Sequence, residues 1–131
     1  MKITNKGLKE LADSLAKVSG LSGVKFAFAI AKNSAKLKPE LSTLQEVVNK
    51  IKGLEEYDIE IKAIRTNTKD EASLIKAVAD LNEKYKEPLK EWSDLMGQEV
   101  DFPVHKIKKE NVPEEINASQ LEGILSIIDD E

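Results

Sequence analysis

The 131 residues fit one domain, residues 1–131, and their balance of 34% charged, 40% apolar and only 5% aromatic side chains suits exposed helical arms over a thin core. There is no cysteine, which excludes a disulfide framework and a thiolate metal site, and no apolar run nears the roughly 20 residues of a membrane span. The net charge of −4 is unevenly divided: ten lysines face four acids through Lys52 (+6), and ten Lys or Arg face twenty acids from Gly53 onward (−10).

A basic first half invites a nucleic-acid reading, because clustered lysines neutralise phosphates. Lys32, Lys36, Lys38, Lys50 and Lys52 fall on segments with apolar stripes, however, and read as a solvated face. No arginine precedes Arg65, and the acids Asp129, Asp130 and Glu131 would repel a phosphate backbone. Nucleic acid is therefore not an expected partner. No N-terminal apolar run precedes a cleavage-like site, so a soluble cytoplasmic protein without a membrane partner is expected.

In chain order, Met1, Lys2 and Ile3 can pair as a short strand, and Thr4 or Asn5 can cap the helix that follows. Leu8, Leu11, Leu15 and Val18 mark one face of that helix, which stops at Ser19 and Gly20. Residues 24–31 carry strand-like β-branched and aromatic side chains among alanines. Because Ile30, Ser34 and Leu37 extend a helical stripe without a turn signal, the spacing predicts a helix. Pro39 is expected to kink or restart it.

A first arm is predicted over about 40–64, with Leu41, Leu44, Val48, Ile51, Leu54, Tyr57, Ile61 and Ile64 on one stripe. Lys52 and Gly53 weaken it without ending it. The apolar-polar alternation over 57–64 also fits a half-buried strand. A second arm is predicted over about 70–96, capped by Thr68 or Asp70, with Leu74, Val78, Leu81, Tyr85, Trp92 and Leu95 aligned and a bend at Pro88. Two such stripes predict an antiparallel helical hairpin in which Leu44 and Val48 meet Val78 and Leu81.

Gly97 is expected to close the second arm in a left-handed conformation. Residues 99–107 alternate around Pro103 and read as an edge strand whose partner is the Met1, Lys2, Ile3 strand. Asn117 and Gln120 have capping-box spacing, and Leu121, Ile124, Leu125 and Ile128 give a short final helix one apolar face. The fold class expected is α+β, mainly α: a long helical hairpin on a base of short helices and a small two-stranded antiparallel sheet.

The inventory for chemistry is poor. His105, the single histidine, sits on the predicted edge strand with no acid at relay spacing and reads as a surface or half-packed side chain. No phosphate-cradling glycine loop, nucleophile elbow or zinc-ligand set occurs. Glu55 with Glu56, and Asp129 with Asp130, are acid pairs of the kind found on solvated faces. Trp92 reads as a packing anchor, with a binding role as the alternative. No catalytic, cofactor-binding or metal-ligating residue is assigned, and no cofactor is expected.

Met1-Lys2-Ile3-Thr4-Asn5, then Val24-Lys25 and Phe28-Ala29-Ile30-Ala31-Lys32-Asn33, with Lys36-Leu37 and Glu40-Leu41, resemble a family of small uncharacterised proteins encoded by tailed bacteriophages. Members open on a similar strand, carry a Val-Lys, aromatic, Ala-Ile block before a long charged helix, and close on a Val-rich strand and a brief apolar helix. Residues 100–107 and 121–128 take those closing places here. The resemblance implies a phage accessory or assembly protein and implies no activity.

The function expected is thus a non-enzymatic phage accessory protein that binds a host protein, with inhibition as one outcome of that binding, its acidic half suiting a basic partner surface. The alternative is a structural or assembly component of the virion. A homodimer at micromolar concentration is expected in either case, because the apolar stripes exceed what one small base can cover.

Overall fold

The computed structural model describes residues 1–129; Asp130 and Glu131, the last two acids of the tail, lie outside the described residues. The chain is mainly helical, with six α-helices and a small two-stranded antiparallel sheet among the described residues. It divides into two compact units, one built from Met1–Leu44 and the described residues from Gly97 onward, the other from Gln45–Met96.

In the first unit, β1 (Lys2–Thr4) runs antiparallel to β2 (Glu99–Asp101) with Ile3 opposite Val100, the pairing expected from the sequence. Thr4 then caps α1 (Asn5–Val18), its hydroxyl accepting the Gly7 N–H at 2.9 Å. Leu8, Leu11, Leu15 and Val18 all point inward, so the three- and four-residue steps did select the buried face. They meet Phe26, Ala29, Ile30 and Leu37 from α2 (Val24–Val48) and Phe102, Ile107, Ile124, Ile127 and Ile128 from the C-terminal part of the chain, forming one core.

α6 (Ala118–Ile124) packs on α1 and begins in a complete capping box: Asn117 Oδ1 accepts the Gln120 N–H, and Gln120 Oε1 accepts the Asn117 N–H. The two helices approach closely at Gly123, where an added Cβ would lie 2.7 Å from Ser14 Oγ. The final helix is shorter than expected. It tightens into a 3-10 turn over Leu125–Ile127, and Ile128 turns from helix into β4 (Ile128–Asp129), which pairs in parallel with β3 (Ile107–Lys108). The predicted edge strand over 99–107 is accordingly two pieces, β2 and β3. Pro103, which has no N–H to donate, lies in the loop between them.

α2 continues through Pro39. The hydrogen bond that proline removes would have gone to the Ala35 carbonyl, and both residues are exposed, so water can take that acceptor. The break falls later, at residues 49–53. Lys50 and Ile51 donate N–H groups back three residues to Val47 and Val48, and Gly53 turns with φ +98°. The unbroken 40–64 arm is therefore corrected to the end of α2 and a separate α3 (Leu54–Asn67). Residues 57–64 lie in α3 and are not a strand.

In the second unit, Asp70 caps α4 (Glu71–Lys84), which packs on α3. α5 (Lys86–Gly97) starts after an irregular Tyr85, because Pro88 cannot donate to the Lys84 carbonyl. The 70–96 arm is thus also two helices. Ile61, Leu81 and Met96 are buried in this unit, and Tyr57 meets Tyr85 edge to face at 5.7 Å. Gly97 ends α5 without a left-handed backbone; Gly23 and Gly53 alone have positive φ among the described residues.

Candidate interaction surface

The side chains singled out by chemistry do not converge. His105 is half-buried in the loop after β2. Glu55 and Glu56 are exposed in the first turn of α3. Asp129 is half-buried in β4, and its sequence neighbour Asp130 lies outside the described residues. No group of three or more His, Asp or Glu is placed to hold a metal ion among the described residues. No helix among them is long and apolar enough to cross a membrane.

What the first unit does present is a helix with two apolar faces. Phe26, Ala29, Ile30, Asn33 and Leu37 take the inner face of α2. Val24, Ala27, Phe28, Ala31 and Ala35 recur at i, i+3, i+4, i+7 and i+11 on the opposite face, and all five are exposed, Val24 to 88% and Phe28 to 60%. Lys25, Lys32 and Lys36 line one flank of that outer stripe at steps of seven and four.

The helix is held rigidly for such a role. Asn33 is wholly buried and clamps the loop behind it: its Nδ2 donates to the His105 carbonyl at 2.8 Å, and its Oδ1 accepts the His105 N–H at 2.7 Å. Lys36 donates to the Pro103 carbonyl at 2.9 Å. The His105 ring in turn stands edge-on against Phe28, centroids 6.1 Å apart, and Lys32 Nζ lies 5.6 Å above the same phenyl ring. At the start of α2, Glu115 Oε1 accepts the Ser22 hydroxyl at 2.6 Å and the Ser22 N–H at 2.7 Å. Those two bonds, the hydroxyl first, hold the Glu115 carboxyl below its ordinary value.

The second unit has an open groove of about 930 Å³ lined by Val48, Ile51, Leu54, Leu89 and Trp92 among polar neighbours. Trp92 lines it and is 38% exposed, partly packed and partly presented to solvent. On α3, Glu60 Oε1 accepts Lys84 Nζ at 3.1 Å. Glu60 Oε2 is closed off from solvent and has no hydrogen bond of standard geometry, although the Tyr85 hydroxyl acts on this carboxyl more strongly than Lys84 does. Together they lower the Glu60 pKa, and Glu60 in return raises those of Lys84 and Tyr85. This cluster reads as a brace between α3 and α4, with the Tyr57 hydroxyl donating to Asn82 Oδ1 at 2.7 Å alongside.

Sequence reasoning missed Asn33 and the outer face of α2. Both had a signal. Asn33 lies between Ile30 and Leu37 on the inward stripe, where a polar side chain must find partners. Removing the inward stripe from residues 24–35 leaves a second apolar set at the same helical spacing. No protein-family model, curated protein or solved structure matches this chain.

Proposed function

We propose that this chain is a non-enzymatic binding protein, a phage accessory protein that engages and restrains a host protein through a helical surface. The single observation that carries the reading is the outer face of α2, with Val24 and Phe28 exposed to 88% and 60% on a helix otherwise fixed in a core. Exposed apolar side chains grouped on one rigid element are the pattern of a recognition surface. Of the residues that carry the phage resemblance, Val24, Lys25, Phe28, Ala31 and Lys32 lie on or beside this face.

The test compares capture from a bacterial lysate by the full chain and by a Val24→Asp, Phe28→Asp variant, both folded by circular dichroism. The reading predicts specific bands lost with the variant and unaffected by a strong chelator. Equal capture by both proteins would overturn it, and an effect abolished by His105→Ala or chelation with binding intact would point to catalysis.

Assembly into a virion is the second reading, and Ile59 and Ile75 favour it, exposed to 65% and 64% on α3 and α4. Under it the chain forms a homodimer at micromolar concentration that Ile59→Ser with Ile75→Ser dissociates, read as mass by light scattering. A monomer throughout that range removes this reading.

A further inference from the structure

Resting on the binding role just proposed for α2, we infer that the occupant of its outer face is an acidic amphipathic helix of another protein, its apolar stripe seated on Val24, Ala27, Phe28 and Ala31 and its carboxylates on Lys25 and Lys32.

The shape of the face selects a helix. Ala27, Ala31 and Ala35 form an i, i+4 row of small side chains beside the ridge Val24, Phe28, Lys32. Such a row is a shallow groove bounded by a ridge, the relief into which a ridge of a second helix packs. From Val24 to Ala35 the stripe runs about 17 Å at 1.5 Å per residue, three turns, enough for anchors at i, i+3 or i+4, and i+7.

The charge selects its partner. Lys25 and Lys32 are exposed, and neither takes part in any of the three ion pairs among the described residues. Lys36 is committed to the Pro103 carbonyl. All three lie on one flank of the stripe, and the other flank, with Ser34 and Lys38, carries no acid. A second copy of α2 lying antiparallel would set lysine flank against lysine flank, and a parallel copy would offer Ser34 and Lys38 where carboxylates are wanted. The face is therefore poorly suited to itself. An anionic membrane would also attract lysines, but an interfacial helix submerges bulky side chains between two basic flanks. This stripe is mostly alanine, with Lys38 alone on the flank opposite Lys25, Lys32 and Lys36, and is fixed along its inner face to the core.

The test titrates the full chain with two synthetic helical peptides that share one Leu/Ala stripe, one flanked by glutamates and the other by lysines. Vesicles of equimolar phosphatidylcholine and phosphatidylserine are the third arm. The inference predicts that the glutamate peptide binds roughly five- to tenfold more tightly at low salt, an advantage that shrinks as salt rises. Phe28→Ser abolishes binding without changing the melting temperature. Lys25→Glu with Lys32→Glu reverses the preference between the peptides. If both peptides bind equally and through Phe28, the binding role of α2 stands and the acidic partner is overturned. If neither binds, both fall. Phe28-dependent doubling of mass without peptide, or Phe28-dependent binding to vesicles alone, overturns the inference in favour of a second copy or a lipid surface.

Discussion

Asn33 is the residue on which the outer face most depends, although it contributes nothing to that face itself. It is fully buried, and its amide answers both backbone polar groups of His105. Asn33→Ala leaves that N–H and C=O without partners, so a loss of about 1 to 3 kcal/mol is expected by denaturant melt. Amide exchange at His105 should accelerate with it; unchanged exchange would show that the loop is held by other means. The carboxylates Asp70 and Glu115 give a second prediction. Asp70 is held low by the Ser73 N–H and then its hydroxyl, and Glu115 by the Ser22 hydroxyl and then its N–H. A carboxyl whose pKa is depressed by folding contributes stability that is present above its unfolded value and lost as pH falls through the folded one. Melting temperature should therefore drop below about pH 4, and Asp70→Asn with Glu115→Gln should flatten that acid limb. A limb of unchanged slope would mean that these two groups do not govern it.

At the scale of elements, helical periodicity located the faces, the polar run at 65–70 and Pro88 marked two of the breaks, and the break at 49–53 was missed. α1, the N-terminal half of α2 and the capping box at Asn117 were legible because a cap, a stop or an unbroken stripe marks each one. The break at 49–53 was hidden because Ile51, Leu54 and Tyr57 keep stepping by three, which reads locally as a continuing stripe although each step falls about 60° short of a full turn and carries the stripe round the helix. Gly53 was the visible stop signal, outweighed by that stripe. Its φ of +98° and the 2.9 Å from an added Cβ to Pro88 Cγ make it the pivot of this turn. Gly53→Ala should cost about 1 to 3 kcal/mol through backbone strain, measured by denaturant melt, and a neutral result would mean that the turn relaxes into another conformation. Leu81, 6% exposed on α4, is the corresponding core test of the second unit. Leu81→Ala should cost about 2 to 5 kcal/mol, and a loss under about half a kcal/mol would remove it from the core. β4 left no trace in the pattern, and of β3 only Ile107 fell within the predicted strand, since two-residue strands are too short to show a period.

Across the whole molecule, the division of charge gains a meaning that the net value conceals. The exposed apolar stripe lies in the half with ten lysines against four acids, so the partner this surface fits is acidic, whereas the acidic half alone had suggested a basic one. Composition could set the two halves apart but not say which would expose apolar surface, because that follows from which face of α2 the core takes. The most direct measurement places a photo-crosslinking amino acid at position 28 of the full chain in bacterial cells, with position 59 on α3 as the comparison. The account predicts an adduct at 28, absent at 59, whose attached peptide carries Asp or Glu beside apolar residues at helical spacing. An adduct only to a second copy of this chain, or none at 28, would contradict it.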